Sequence, residues 1–485
     1  MPTETLAIAA GQYTNVDERS VRQGNVSVIN WMLDDGGGLV SRPGLSVIGT
    51  FLPSLGDAVS TVYIKLLYAY RDWIIIVFNN GLIYKMDEAG TTYDITGLRL
   101  LGPAVPASAT TDANGDLLLA RGGASVKWTG HRNDKTVALS AGFAPASTHL
   151  AVVQGYLVGN DYGNDEIYYT SITDHSAWDV TNVFQAESRR DPCIALLSSQ
   201  NFIYLFGTET TDVYYPTNSS APAFSRAFTI PRGAASPRGV VDVDGTIYFM
   251  DTRRRICRLD DRRPVVISME IEKTLLELGS VESLAVHRVD YKGRHLLVWS
   301  IEDEETAFVY DYALSTPGKG IWTEWRGWSA TSSRWSAMPF SSYTYHPEWR
   351  RHFCASGQVL YELTDTAGTD GGTTAEIRRV IRTGYFSHGT SAMKRSSKLR
   401  LRMVRGSTTS NTADPELILR TRDDGLEWGS FVHMSVGAIG DTNMFGAELT
   451  GMGMYRERQY EIACSEPSPK VAIYPPEEDF DVLLR

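Results

Sequence analysis

Short apolar runs alternate with tight polar turns along most of the chain. From about residue 60, an apolar run is followed by a turn containing Gly, Asn or Asp and then by a second apolar run. Apolar runs bounded by such turns are typical of β-hairpins. The turn and second run occur seven times, marked by Trp73, Gly115, Gly155, Asn201, Gly245, Gly293 and Arg350.

The spacing of these hairpins is nearly regular. Five of the six intervals lie between 40 and 48 residues, and the last is 57 residues. Propeller blades recur at about 40–50 residues, because each small sheet needs four short strands and their turns. A third apolar strand is visible in several intervals, for example Gly81–Lys85 and Glu166–Thr170. We therefore predict a β-propeller of six or seven blades.

The pattern changes near residue 365. The composition of Thr366–Thr374 is typical of a flexible connector. Beyond it, Lys398–Met403 alternates strictly between basic and apolar residues, as in a half-buried strand. We predict an all-β protein with an N-terminal arm at 1–48, a β-propeller at 49–380 and a C-terminal β-sandwich at 381–485. The arm is expected to join either the last blade or the sandwich.

Two features interrupt the repeat. The long last interval contains Trp322, Trp325, Trp328 and Trp335, which we expect to pack between blades rather than to form a ligand platform. The segment Glu270–Leu278 is predicted to be a helix that ends at Gly279.

Charge and apolar content restrict the possible functions. The chain has 46 basic and 57 acidic residues and a net charge of −11, which argues against a broad grip on DNA phosphates. A channel past which DNA slides remains compatible with this charge. The start of the chain has no export signal, and its longest apolar run, Trp73–Phe78, is far shorter than the roughly 18 residues of a membrane helix. We expect neither export nor membrane insertion.

Residues that could carry chemistry are scattered. The cysteines form no CxxC pair and are predicted to be buried free thiols, and the nine histidines show no metal-ligand spacing. The glycine run Asp34–Leu39 lacks the lysine of a phosphate-binding loop and predicts a hairpin turn. We expect no catalytic residue, no cofactor and no metal, and hence no enzyme.

One short motif is distinctive. The segment Thr421–Trp428 resembles the Asp-box, S-x-D-x-G-x-T-W, with Thr421 in place of Ser and Glu427 in place of Thr. In this hairpin the Asp caps the turn, the Gly supplies an unusual backbone angle and the Trp packs beneath. Asp423, Gly425 and Trp428 are therefore expected to have a structural role.

Two basic clusters remain. The first contains Arg253, Arg254, Arg255 and Arg258, and the second contains Lys398, Arg400 and Arg402. Solvated faces and contacts to DNA phosphate are the alternatives to a protein contact. Arginine clusters that lined a lumen would hold DNA instead of letting it slide. We therefore predict that most of these residues face neighbouring proteins or outer solvent, where they can pair with Glu477, Glu478 and Asp479.

Three separate regions of the chain resemble the tail hub proteins of short-tailed bacteriophages, also called nozzle or packaged-DNA stabilisation proteins. The N-terminal region contributes Asn30-Trp31, Gly38 and Ser41–Leu45, and the middle contributes Ile203–Pro216 and Arg232–Pro237. The Asp-box-like hairpin, Gly451–Arg458 and Glu461–Ser465 resemble a C-terminal module of phage tail proteins. None of these segments is an enzymatic signature.

This resemblance implies a structural virion protein in the phage tail, assembled in the host cytoplasm. It implies a hexameric ring below the portal and its adaptor, which retains packaged DNA and forms its exit channel. Double-stranded DNA would cross the lumen without sequence-specific binding. Tail spikes or fibres and a tail needle or plug would be further partners.

Two other functions are compatible with a propeller. A sialidase-type glycosidase is suggested by the Asp-box-like motif and by the abundant Arg and Tyr, but only one such motif is present. A sugar-binding or partner-binding propeller would use the segment from Trp322 to Trp335 as its platform. Six-fold rings in electron microscopy would favour the tail hub, and monomers would favour the other two functions.

Overall fold

The computed structural model of the protein is almost entirely β-sheet. It describes residues 2–483 except 9, 16–20, 22–23, 35, 52–61, 104–105, 186–190, 218, 220–221, 303, 372–375, 405–415, 438–439, 442–446 and 466–470. The N-terminal segment contains β1 (Thr3–Thr5), β2 (Asn25–Ile29), β3 (Trp31–Leu33), β4 (Leu39–Ser41) and β5 (Gly44–Thr50).

Six groups of four antiparallel strands follow along the chain, and we number them as blades 1–6; the first five are separate sheets and the sixth is part of a larger sheet. The strands of blades 1–3 are β6 (Ile64–Tyr70), β7 (Trp73–Phe78), β8 (Ile83–Met86), β9 (Thr92–Asp94), β10 (Ser108–Thr111), β11 (Leu117–Ala120), β12 (Val126–Trp128), β13 (Val137–Ala138), β14 (Leu150–Val153), β15 (Tyr156–Asn160), β16 (Glu166–Thr170) and β17 (Trp178–Gln185). Those of blades 4–6 are β18 (Ala195–Ser199), β19 (Phe202–Phe206), β20 (Thr211–Pro216), β21 (Phe224–Ile230), β22 (Val240–Val243), β23 (Thr246–Met250), β24 (Ile256–Asp260), β25 (Arg263–Val266), β26 (Ala285–Tyr291), β27 (Arg294–Ser300), β28 (Ala307–Asp311) and β29 (Trp322–Trp325).

Blade 7 is built from two distant parts of the chain. After a short hairpin of β30 (Gly327–Ser329) and β31 (Arg334–Ser336), it contains β32 (Ser342–His346), β33 (Arg351–Ser356) and β34 (Val359–Thr364). Its outer strand is the N-terminal β5, which pairs antiparallel with β34. An N-terminal strand thus completes the last blade, and the predicted six or seven blades are seven.

The seven blades form a closed ring. The backbone N–H groups of Leu67 and Ala69 in blade 1 donate to the hydroxyls of Ser342 and Thr344 in blade 7, at 2.9 and 3.0 Å. Each pair of successive blades encloses its own cluster of buried apolar side chains. A small sheet cannot cover both of its faces alone, so stacking on its neighbours is what stabilises each blade.

The remaining strands form the sandwich beside the propeller. They are β35 (Arg379–Thr383), β36 (Lys394–Leu401), β37 (Met403–Val404), β38 (Glu416–Asp423), β39 (Val432–Ser435), β40 (Ala447–Tyr455), β41 (Arg458–Cys464), β42 (Ala472–Ile473) and β43 (Glu477–Val482). Two four-stranded sheets have the orders β1-β43-β36-β40 and β3-β4-β42-β37. The N-terminal arm therefore joins both the sandwich, through β1–β4, and the last blade, through β5.

A third sheet connects the sandwich to the propeller. In a nine-stranded sheet, blade 6 continues through β2 into β35, β41, β38 and β39. The junction is a parallel pairing of β2 with β29, at Ile29 and Glu324. The sandwich core lies on the inner faces of these sheets and includes Trp31, Leu399 and Leu401. The strict alternation predicted for Lys398–Met403 is confirmed, since Leu399, Leu401 and Met403 are buried.

Other local predictions have mixed outcomes. The predicted helix is present between blades 5 and 6 as a 3₁₀ turn at Met269–Ile271 and α1 at Glu272–Glu277. Its last carbonyls accept hydrogen bonds from Arg254, and Gly279 does not adopt a positive φ. The glycine run forms the β3–β4 hairpin, in which Asp34 N donates to Gly38 O at 2.9 Å.

The predicted flexible connector is the main correction. The described part of Thr366–Thr374 is held by backbone hydrogen bonds, from Leu45 to Thr369 at 2.9 Å and from Gly371 to Leu45 at 2.8 Å. The prediction from composition does not hold for these residues because β5 lies beside them in blade 7. Leu45 of β5 provides the partners for their backbone hydrogen bonds. Residues 372–374 lie outside the described residues. The chain divisions at residues 48 and 380 remain predictions.

The tryptophans of the long interval separate into two pairs. Trp322 and Trp325 belong to β29 and are fully buried, the first between blades 5 and 6 and the second between blades 6 and 7. Trp328 and Trp335 pack edge to face in the β30–β31 hairpin, with ring centroids 5.0 Å apart. Trp335 also packs on the outer face of the nine-stranded sheet. All four indoles therefore take part in packing.

Candidate functional site

The segment Asn30–Leu45 forms the joint between propeller and sandwich. Asn30 is fully buried with a φ of 60°, and its side-chain amide donates to the carbonyls of Arg326 and Arg378 at 2.9 and 2.7 Å. Arg42, also fully buried, donates from Nε to Asn30 Oδ1 at 2.8 Å and from Nη1 to Asp370 Oδ1 at 2.9 Å. These residues of the "NW … RPGL" segment therefore hold the two parts of the fold together.

The basic strand β36 pairs with acidic side chains of the same chain. Lys398 Nζ lies 2.6 Å from Glu448 Oε2, and Arg400 Nη2 donates to Asp479 Oδ2 at 2.6 Å. The hydrogen bonds from Arg400 and Thr3 hold the pKa of Asp479 below its usual value. Arg402 lies 3.9 Å from Glu477 and its side chain is 41% exposed. Asp479 and Glu477 are thus neighbours of this cluster within one chain.

Glu478 does not face the basic strand. Its carboxylate is buried and accepts hydrogen bonds from the hydroxyls of Tyr455 and Tyr460, at 2.9 and 2.7 Å. His388 Nε2 lies 3.2 Å from the same carboxylate, and His388 Nδ1 lies 2.6 Å from Glu4 Oε2. This network ties β1 to β43. Sequence reasoning missed it, although the alternation of β43 places Glu478 on the same face as the buried Phe480.

The arginines of blade 5 have different environments. Arg254 donates to the carbonyls of Leu276 and Gly279 beside α1, and Arg258 forms an ion pair with Asp260 at 2.7 Å. These two therefore serve the fold of their own blade.

Arg253 and Arg255 lie in the turn between β23 and β24. Arg255 binds Asp251 through Nε at 3.0 Å and Nη2 at 2.7 Å. The guanidinium of Arg253 is exposed and contacts no carboxylate or carbonyl in the described part of the chain. The four arginines of the first basic cluster therefore do not form one surface patch but lie towards two ends of blade 5.

The Asp-box-like segment forms a tight hairpin turn. Asp424 and Gly425 have φ values of 50° and 74°, and Leu426 N donates to Asp423 O at 2.9 Å. Two successive positive φ angles match the right-handed twist of the flanking strands. The carboxylate that caps backbone is that of Asp424, whose Oδ1 accepts the N–H groups of residues 456 and 457 at 2.9 Å.

Asp423 and Trp428 make contacts other than those of an Asp-box. Asp423 accepts hydrogen bonds from Arg458 Nε and Nη2 on the adjacent β41, at 2.6 and 2.8 Å. The half-buried ring of Trp428 faces the guanidinium groups of Arg420, Arg382 and Arg422, at 4.8, 5.5 and 5.9 Å from its centroid. These contacts join β38 to its neighbours β41 and β35.

The axis of the propeller is bridged by side chains. Arg238, which precedes blade 5, donates from Nη1 to the carbonyl of Ser341, which precedes blade 7, at 2.9 Å. His149, which precedes blade 3, lies 3.2 Å from the carbonyl of Pro237. Burial lowers the pKa of His149 to about 4, so its imidazole is neutral. Because these contacts join blades that are not neighbours in the ring, they lie in the space around the propeller axis.

All four cysteines are free and buried, as predicted, and burial raises the pKa of Cys193 to about 12 and that of Cys257 to about 11. The described residues contain no group of three or more His, Cys, Asp or Glu side chains arranged to hold a metal ion. None of the helices in the described ranges has the length and apolar character needed to cross a membrane.

A family model matches the propeller. Residues 121–367 match the model of the phage-stabilisation family, described as "Bacteriophage P22 Gp10, beta-propeller", and these residues are just over half of the chain. None of the curated proteins matches the chain. Among solved structures, the computationally designed Ika8 protein is 12% identical and covers 65% of this chain with all of its own length, with a TM-score of 0.40. The chain belongs to the phage-stabilisation family of β-propellers and is a structural protein of a phage tail.

Proposed function

We propose that the chain is the subunit of a six-fold tail hub, or nozzle, of a short-tailed phage. The ring lies below the portal and its adaptor, retains the packaged genome and forms its exit channel. The observation that carries this proposal is the family match, which runs from the turn after the second strand of blade 2 to the end of β34 in blade 7. The protein is located in the virion tail and is assembled in the host cytoplasm.

The geometry of the propeller supports a DNA path between subunits. The hydrogen bond from Arg238 to Ser341 links two non-neighbouring blades in the space around the propeller axis, which favours a DNA path outside each single propeller. A net charge of −11 gives a surface that repels phosphates, which suits a channel along which DNA slides. A ring of several copies provides such a channel, and closed rings are a common result of repeated identical contacts.

The same proposal assigns roles to the outward-facing basic residues. Arg253 in blade 5 and the partly exposed Arg402 in the sandwich lie on surfaces where partner proteins with carboxylates can pair with them. The partners are the portal adaptor, neighbouring copies, tail spikes or fibres, and a needle or plug. Release of the plug opens the channel, and the hub itself needs no catalytic step.

DNA retention in particles that lack the protein tests this function. A phage with a stop codon in this reading frame, grown in a non-suppressing host, should package DNA and then lose it, which DNase digestion of purified particles measures. The full chain supplied from a plasmid should restore DNase resistance. Particles that retain their DNA fully without the chain would contradict the role in genome retention.

A further inference from the structure

A polar cleft of about 680 Å³ lies between blades 4 and 5. Its walls are the turn at residues 207–210 of blade 4, the segment 231–233 between the blades and the turn at residues 251–255 of blade 5. The first two walls belong to Ile203–Pro216 and Arg232–Pro237, the stretches that carry the resemblance in the middle of the chain.

Three guanidinium groups line the cleft. Asp251 accepts hydrogen bonds from Arg255 at 2.7 and 3.0 Å, and Arg232 Nη1 lies 3.4 Å from the same carboxylate. The side chains of Arg232 and Arg255 remain 25% and 22% exposed. One carboxylate therefore holds two arginines in place, while Arg253 is exposed and without a partner among the described residues.

The opposite wall is fixed as well. The carboxylate of Asp191 accepts the backbone N–H groups of Thr208, Glu209 and Thr210, at 2.9, 2.7 and 3.1 Å. The turn of blade 4 is thus held by internal hydrogen bonds before any ligand binds. A preformed site loses less conformational entropy when its ligand binds, which favours affinity.

The chemistry of the cleft suits carboxylates on a polypeptide. Planar guanidinium groups bind carboxylates through two parallel hydrogen bonds. A DNA duplex is too broad to enter a cleft of this volume, and a chain of net charge −11 repels it.

We propose that this cleft binds an acidic peptide segment of a partner protein. The inference rests on the proposed function, which supplies such partners in the assembled tail. Arg253 is the main charged contact, because its guanidinium is available to a carboxylate of the peptide. Arg232 and Arg255, which Asp251 holds in place, donate further hydrogen bonds to the peptide.

Fluorescence anisotropy of a fluorescein-labelled hexaglutamate peptide with the purified full chain tests the proposal. Arg253→Glu should weaken binding at least tenfold, whereas Arg263→Glu should change it less than twofold. Arg263 is an exposed arginine at the far end of the same blade and undergoes the same change of charge. Screening in about 0.15 M salt confines the effect of a surface charge to roughly 8 Å, so the two variants should differ.

Amide hydrogen exchange gives a second readout. Saturating hexaglutamate should protect residues 207–210 and 252–255. Absence of peptide binding, equal losses in the two variants, or unchanged exchange at these turns would overturn the proposal. So would Arg253-dependent binding of a labelled 20-base-pair duplex in place of the peptide. Ring formation by the unmodified protein is scored separately in electron microscopy, so failure of the hub proposal and failure of the cleft proposal are distinguishable.

Discussion

Arg42 and Asp370, 328 positions apart in the sequence, form a buried ion pair where the chain passes from the sandwich into blade 7. The side chain of Arg42 is fully buried and that of Asp370 is 6% exposed. Asp370 thereby neutralises a guanidinium that also donates to Asn30 at 2.8 Å. The pair joins the N-terminal segment to the end of the propeller.

Removing one partner of this pair should be costly. We expect Asp370→Ala to lower the free energy of unfolding by about 3 kcal/mol, because Arg42 is left as an uncompensated buried charge. Asp260→Ala is the matched control, since Asp260 pairs with Arg258 at the surface, with the Asp260 side chain 45% exposed, and should cost less than about 1 kcal/mol. Urea unfolding followed by tryptophan fluorescence measures both. Equal losses in the two variants would show that the buried pair is not a structural joint.

His388 should make stability depend on pH above neutrality. Burial alone would lower its pKa, but hydrogen bonds with Glu478 and Glu4 outweigh burial and raise it. A group with a raised folded pKa stabilises fully below its unfolded pKa of about 6.5 and loses this effect as pH rises through the folded pKa. The free energy of unfolding should therefore fall over that range.

The variant His388→Gln should not show this fall, whereas His131→Gln, at an exposed histidine, should retain it. On the acid side, hydrogen bonds from His388 and the two tyrosines outweigh burial and lower the pKa of Glu478. Ionised Glu478 therefore stabilises the folded state at pH values above its unfolded pKa. This stabilisation is lost as the pH falls through the pKa that Glu478 has in the folded state. Thermal melting between pH 4 and pH 9 measures both limbs, and identical profiles for the wild type and His388→Gln would refute the assignment.

Gly425 and Gly142 offer a test of the hairpin turn. A Cβ atom would meet nothing within 4 Å at either position, but only Gly425 has a positive φ, of 74°. Gly425→Ala should therefore cost about 1 kcal/mol through backbone strain alone. Gly142→Ala should be neutral or slightly stabilising, because it only restricts the unfolded chain. If the two substitutions shift the urea midpoint equally, the turn does not require glycine.

Charge reversal in β36 separates contacts within the chain from contacts between proteins. We expect Arg400→Glu with Arg402→Glu to impair ring assembly or docking more than the rate of DNA ejection. Arg400→Glu also places like charges beside Asp479 and Glu448 of the same chain, at an expected cost of about 1 kcal/mol.

Asp479→Arg added to Arg400→Glu should restore that stability, as measured by thermal melting. The triple variant Arg400→Glu, Asp479→Arg, Arg402→Glu should still assemble poorly. Normal assembly with an altered, salt-dependent ejection rate would instead place the basic strand in the DNA channel.

The repeat of the propeller could be predicted from sequence because each hairpin is a local signal. Turn residues such as Gly155 and Gly245 and the apolar strands after them lie next to one another in the chain, and all seven second strands occur where expected. The alternation of Lys398–Met403 is equally local and was sufficient to identify a half-buried strand.

Long-range pairing could not be predicted in this way. The completion of blade 7 by β5 and the hydrogen bond that Thr369 accepts from Leu45 join residues more than 300 positions apart. The composition of Thr366–Thr374 predicted a flexible connector because it carries no information about the distant partner Leu45. Asp423 and Asp424 are adjacent, but their partners, Arg458 for Asp423 and the N–H groups of residues 456 and 457 for Asp424, are more than 30 positions away along the chain.

The central claim is that this chain forms a six-fold tail ring through which DNA leaves the particle. Cryo-electron microscopy of intact virions tests it most directly. We expect six copies of this seven-bladed propeller in one ring below the portal adaptor, with the DNA path between the copies and Arg238 still bridging the axis of each propeller. A tail without this chain, a ring of different symmetry, or DNA density along the axis of a single propeller would contradict the account.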